Sequence, residues 1–112
     1  MSSHTGRVIL IIEDRAQLLG FVVAASIGDE WEIENLVVAQ ESRRKGLASK
    51  ILAEAIDHAA KNGGQSLFLE VRESNTAARQ FYEKWGFLEV GRRKRYYQQP
   101  VEDAIIYKRI LV

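Results

Sequence analysis

The sequence predicts a mixed α/β fold, and three observations carry that expectation. Two β-rich runs, residues 7–13 and 18–25, flank the polar stretch "EDRAQ" and read as a hairpin. The apolar period then changes to a helical one across residues 45–62. A short apolar run at 66–71 follows, so strand, helix and strand succeed one another as in a parallel crossover unit.

Each element has its own justification. "GDE" turns the chain into a third strand at 31–38, where Trp31 and Ile33 share one face and Glu32 and Glu34 the other. Leu36 and Val38 fall out of that phase. A one-residue slip in a period-two pattern marks a β-bulge near residues 34–36, or else a second half buried on both faces. In the first helix Leu47, Ile51, Leu52, Ala55, Ile56 and Ala59 form one stripe, with Lys50, Glu54, Asp57 and Lys61 outside. Asn62-Gly63-Gly64 ends it. A second helix is predicted over 76–85, with Ala78, Phe81, Tyr82 and Trp85 on one face and Gly86 as its stop. Strands at 87–93 and 103–110 close the chain around "YYQQPVE".

Composition narrows the function classes. A chain of 112 residues builds one core, so residues 1–112 are read as a single domain. Its net charge of +1 does not mark the whole molecule as a nucleic-acid binder. The absence of cysteine removes disulfides, thiolate metal sites and a Cys nucleophile, and it fits a reducing compartment. The apolar run at 8–12 is too short for a signal-peptide core or a bilayer span. A soluble cytoplasmic protein with no membrane partner is therefore expected. His4 and His58 are isolated and read as surface residues.

"SRRKGLASKIL" sits between the third strand and the first helix. Arg43, Arg44 and Lys45 crowd like charges against Gly46, at a helix N-terminus whose backbone N–H groups and dipole favour an anion. Gly46 and Ala48 leave room for a phosphate to approach the backbone. The stretch is neither a Walker A loop nor a Rossmann fingerprint. The alternative is a solvated basic turn, and the residues alone leave both readings open.

"SRRKGLASKIL" after "ENLVV", then "LFLEVRESNTAARQFYEKWGF", then "YYQQPVEDAIIY", resembles the GNAT superfamily of N-acetyltransferases over residues 18–110. Within it the likeness is to the ribosomal-protein-alanine N-acetyltransferases, which acetylate protein N-termini. The resemblance implies a centrally splayed mixed sheet with two main helices, and acetyl-CoA as co-substrate without a metal. Arg43, Arg44, Lys45, Gly46, Leu47 and Ala48 would cradle its pyrophosphate. Leu36, Val37 and Val38 would hydrogen-bond the pantetheine, with a strand N–H stabilising the oxyanion.

The resemblance implies that Glu70 is the general base and Tyr82 the acid that protonates the departing thiolate. Each has a plainer reading. Glu70 interrupts the apolar run "LFLEV", where a carboxylate is costly without water or a partner, and Arg72 lies two residues on the same face. Tyr82 lies on the apolar face of its helix, where aromatic rings pack. Asn75 matches a cofactor contact and is equally a good N-cap. The implied chemistry favours an α-amine, whose pKa lies near 8 against about 10.4 for lysine, a difference of about 3 kcal/mol in deprotonation. Glu70 would deprotonate the ammonium, and the amine would attack the thioester directly.

Tyr96, Tyr97 and Glu102 match a loop that borders the acceptor in such enzymes. The basic run Arg92-Arg93-Lys94-Arg95 beside them also has the composition of an RNA contact, or of a solvated strand. Relatives carry a further strand and helices before the hairpin, so the resemblance implies an N-terminally shortened form. "RVILII" then presents an unpaired apolar edge, expected to be covered by a second protomer, in a homodimer, or by a partner chain. The leading acceptor is a protein N-terminus. Lysine or a small amine, and a CoA-binding domain without turnover, stand as alternatives.

Overall fold

An antiparallel hairpin comes first among the described residues. The computed structural model describes residues 5–40 and 46–112; His4, Arg43, Arg44 and Lys45 lie outside the described residues. Six strands and two helices follow in the order β1 (Thr5–Asp14), β2 (Gln17–Ile27), β3 (Glu30–Val38), α1 (Leu47–Lys61), β4 (Ser66–Arg72), α2 (Thr76–Lys84), β5 (Leu88–Tyr97) and β6 (Glu102–Ile110). The mixed α/β expectation holds. Two compact units divide the chain within β4, one up to Leu67 with Leu111–Val112 and the other Phe68–Ile110.

In the first unit β1, β2 and β3 form an antiparallel meander. Arg15 and Ala16 link β1 to β2 with φ of 50° and 66°, the twisted two-residue turn that matches strand twist. The bulge is where the period slips. Val23 pairs with Asn35 and Ala24 with Ile33, so Glu34 is the extra residue on β3. Beyond it Leu36 and Val38 return to the more buried side while Val37 is exposed. Arg7 donates two hydrogen bonds to the Glu34 carboxylate, at 2.6 and 2.8 Å, tying the bulge to β1.

Helix α1 packs on β1–β3 through buried Ile51, Leu52, Ala55 and Ala59. Its depth is set at Gly20 of β2. A Cβ there would come within 2.6 Å of Ile51 Cδ1 and 2.7 Å of the Val37 carbonyl oxygen. Only glycine fits this spacing. His58 is not the surface residue expected, because its ring stands edge-on to buried Trp31 at 5.3 Å.

In the second unit the strand order is β4-β6-β5, with β5 and β6 antiparallel. Leu69, Val71, Phe87, Ala104, Ile105 and Tyr107 are buried. The predicted apolar face of α2 exists, yet Ala78, Phe81, Tyr82 and Trp85 are only half-buried and no α2 residue is fully buried.

Candidate active site

The first unit carries the segments expected to hold the cofactor. Gly46 precedes α1 with φ 75° and ψ 10°, the left-handed conformation that glycine adopts without strain. Its carbonyl accepts the Lys50 N–H at 3.1 Å and starts the helix. Glycine brings no side-chain cap, and a Cβ on it would meet nothing within 4 Å among the described residues. Open space therefore lies beside the N-terminal amides of α1, opposite in charge to an anion. Leu47 and Ala48 form its first turn. Leu36, Val37 and Val38 lie just past the bulge, and Gly20 touches both the Val37 carbonyl and Ile51, one turn further along α1.

The second unit gathers the residues expected to do the chemistry. Glu70 lies in β4, its side chain only 14% exposed, and Arg93 Nε of β5 stands 2.7 Å from Oε2. The guanidinium N–H is not aimed at that oxygen, which is buried without a hydrogen bond. Charge, not a directed bond, compensates the buried Oε2 oxygen. The expected partner Arg72 is engaged elsewhere. Its Nη1 donates to Glu102 at 3.1 Å and to the Pro100 carbonyl at 3.3 Å, and the guanidinium lies 4.3 Å above the Tyr97 ring.

That arrangement orders the acceptor candidates. Glu102 also accepts the Ser74 N–H. Hydrogen bonds from Ser74, with the Arg72 guanidinium in support, hold its carboxyl below the usual range. Burial first, and then the nearby Glu70 charge, push the Tyr97 phenol up. Tyr96 meets Tyr97 edge-to-face at 5.1 Å, and Arg93 lies 5.5 Å from its centre. One cluster thus joins Glu70, Tyr96, Tyr97 and Glu102 through Arg93 and Arg72.

Tyr82 of α2 packs edge-on against Phe81 at 5.2 Å and Phe87 at 5.6 Å. Burial pushes its phenol up, which keeps the proton in place near neutral pH. Asn75 Oδ1 accepts the Ala78 N–H at 3.1 Å, so this oxygen is spent as the N-cap of α2.

The basic run is not a free cationic strip. Arg92 bridges Asp103 at 2.7 Å and Glu73 at 2.9 Å, and those carboxylates push its guanidinium pKa further up. With Arg93 held at Glu70, two of the four cations are neutralised within the fold. A merely solvated Arg92 is therefore corrected. Sequence reasoning missed Arg93 as the partner of Glu70, because β6 lies between their strands and no local spacing links them.

A left-handed glycine at a helix N-terminus and a bulged strand in the first unit, and a largely buried carboxylate in the second, are each features that an acyl-transfer protein can use. The family model for the acetyltransferase (GNAT) family matches residues 2–87, and the chain belongs to that family. It is 39% identical over 93 residues to the [ribosomal protein bS18]-alanine N-acetyltransferase of Haemophilus influenzae, covering 80% of this chain and 63% of that relative. With the Escherichia coli K12 enzyme of the same name it shares 36% over 97 residues, 85% of this chain and 66% of the relative. The chain thus spans slightly under two thirds of the length of these curated relatives. The crystal structure of the E. coli ribosomal-protein-S18-alanine N-acetyltransferase superposes with TM-score 0.87 at 33% identity, over 94% of this chain and 69% of that one. A Bacillus anthracis acetyltransferase solved in complex with acetyl coenzyme A superposes with TM-score 0.83 at 28% identity, over 93% and 62%.

Proposed function

We propose that the protein transfers an acetyl group from acetyl-CoA to the α-amine of a protein N-terminus, by direct attack of the amine. The observation that carries this reading is Glu70, a largely buried carboxylate whose Oε2 is paired by charge with Arg93 and makes no directed hydrogen bond among the described residues. Such a group can accept a proton from an ammonium. The similarity to enzymes named for ribosomal-protein alanine acetylation supports a ribosomal-protein acceptor.

On this reading Gly46, Leu47 and Ala48, with Arg43, Arg44 and Lys45, bind the pyrophosphate through main-chain amides. The strand amides of Leu36–Val38 hold the pantetheine and the developing oxyanion. Asn75 retains its amide nitrogen for a cofactor contact while its oxygen caps α2. Acetyl-CoA supplies the activated acyl group. Glu70 takes the ammonium proton, directly or through water, and Tyr82 gives its phenolic proton to the leaving sulfur. Tyr96, Tyr97 and Glu102 orient the acceptor, the last by its charge.

Glu70→Gln tests the assignment. Turnover falls at least 100-fold while acetyl-CoA affinity stays within twofold, since the amide keeps shape and loses basicity. Unchanged turnover would remove Glu70 from the chemistry.

Self-association through β1 is part of the same reading. Among the described residues β1 pairs only with β2, and Ile9 and Ile11 are 57% and 56% exposed. A two-fold antiparallel pairing centred on Leu10 sets Ile9 against Ile11 and Arg7 against Glu13 of the second copy. Sedimentation at tens of micromolar should show dimer; monomer alone rejects it. No helix among the described residues is long and apolar enough to cross a membrane, and a ribosomal-protein acceptor fits a cytoplasmic site of action.

A further inference from the structure

Helix α2 is nine residues long and has no fully buried residue. A helix this short does not hold itself in water, so its position depends on what ties it down. The tie is polar. Tyr107 of β6 is fully buried, and its hydroxyl donates to Glu83 Oε2 at 2.8 Å and accepts from Arg79 Nε at 3.0 Å. Arg79 spends its other nitrogens on the Glu73 carbonyl at 3.0 Å and on Glu89 of β5 at 3.3 Å.

Arg79 and Glu83 stand one turn apart on α2 and flank Tyr82 in the chain. Both converge on one buried phenol, so the helix is pinned to β6, to β5 and to the turn that enters it. Bonds to charged groups are the strong class, and a buried phenol that loses them leaves an orphaned partner. The Tyr82 hydroxyl itself makes no hydrogen bond among the described residues, so its ring is placed by edge-on packing on Phe81 and Phe87 and by the seating of α2.

We propose that Tyr107 and Arg79 are positioning residues for Tyr82, fixing α2 so that its phenol meets the leaving group. The inference rests on Tyr82 as the proton donor. Its chemistry is geometric, because a misplacement of about 1 Å costs up to about 100-fold in rate.

The experiment uses Tyr107→Phe, which keeps the buried ring and removes only the hydroxyl, with Arg79→Lys as a second variant that keeps charge and loses the bridge. Steady-state kinetics are measured in the parent, in Tyr82→Phe and in the Tyr82→Phe/Tyr107→Phe pair. Tyr82 is titrated by NMR with carbon-13-labelled tyrosine. Tyr107→Phe and Arg79→Lys should each lower kcat about tenfold with the KM for acetyl-CoA within twofold. In the Tyr82→Phe background Tyr107→Phe should cost less than twofold more. The Tyr82 titration should move down toward that of an exposed phenol in both single variants, and this arm reads positioning without turnover. Additive losses, or an unmoved Tyr82 titration, overturn the proposal while leaving Tyr82 as the acid. A Tyr82→Phe enzyme as fast as the parent overturns the acid assignment, and the proposal with it.

Discussion

Replacing Gly46 separates backbone strain from crowding in the loop that precedes α1. Its φ of 75° is a conformation that costs an L-residue about 1–2 kcal/mol. A Cβ at this position meets nothing within 4 Å among the described residues, so they add no steric term. Gly46→Ala should therefore lower stability by about 1 kcal/mol, or relax φ and carry the first amides of α1 away. Gly46→Asn should cost less, because asparagine tolerates the left-handed region, and Gly46→Val more. Urea unfolding at constant m reads the stability series, and calorimetry with CoA reads the amides. The expected order in both is Gly, Asn, Ala, Val. Equal midpoints and affinities for glycine and valine would refute the argument from backbone conformation.

Three further outcomes follow from named contacts. Gly20→Ala should destabilise by about 1–3 kcal/mol in urea unfolding, and Ile51→Val should recover part of it by removing the Cδ1 that lies 2.6 Å from the new methyl. Leu52→Ala, at a fully buried position of α1, should cost about 2–5 kcal/mol by the same assay. Glu102 and Asp103 both have carboxyls held below their ordinary values of 4.5 and 3.8. The stability they contribute is complete above those values and lost as pH falls through the lower folded ones. Glu102→Gln should thus be less stable than the parent near pH 7, with the gap closing toward pH 2; a gap independent of pH contradicts the linkage.

How much of this was legible depends on whether the signal is local. The slip near Glu34 showed in sequence, because Leu36 and Val38 fall out of phase with Trp31 and Ile33, but only the pairing decides for a bulge over burial on both faces. The helix stripe through Ile51, Leu52, Ala55 and Ala59 was equally plain, since 3.6 residues per turn put these positions together. The partner of Glu70 was not. Arg72 shares its face two residues on, but the cation that reaches Glu70 comes from a strand beyond β6, and only the fold supplies that proximity. Tyr107 illustrates the same limit. It reads as one more apolar residue of "DAIIY", and its hydroxyl gains meaning only where Arg79 and Glu83 meet it. His58 was misplaced for a related reason, because a ring at the margin of a stripe packs if a large neighbour such as Trp31 offers a surface.

Mass spectrometry of two short peptides incubated with the protein and acetyl-CoA decides whether an α-amine is the acceptor. One peptide begins with a free alanine and lacks lysine; the other is N-blocked and contains lysine. The account predicts one acetyl group on the first peptide and none on the second. Acetylation of the lysine peptide alone, or of neither, would contradict it.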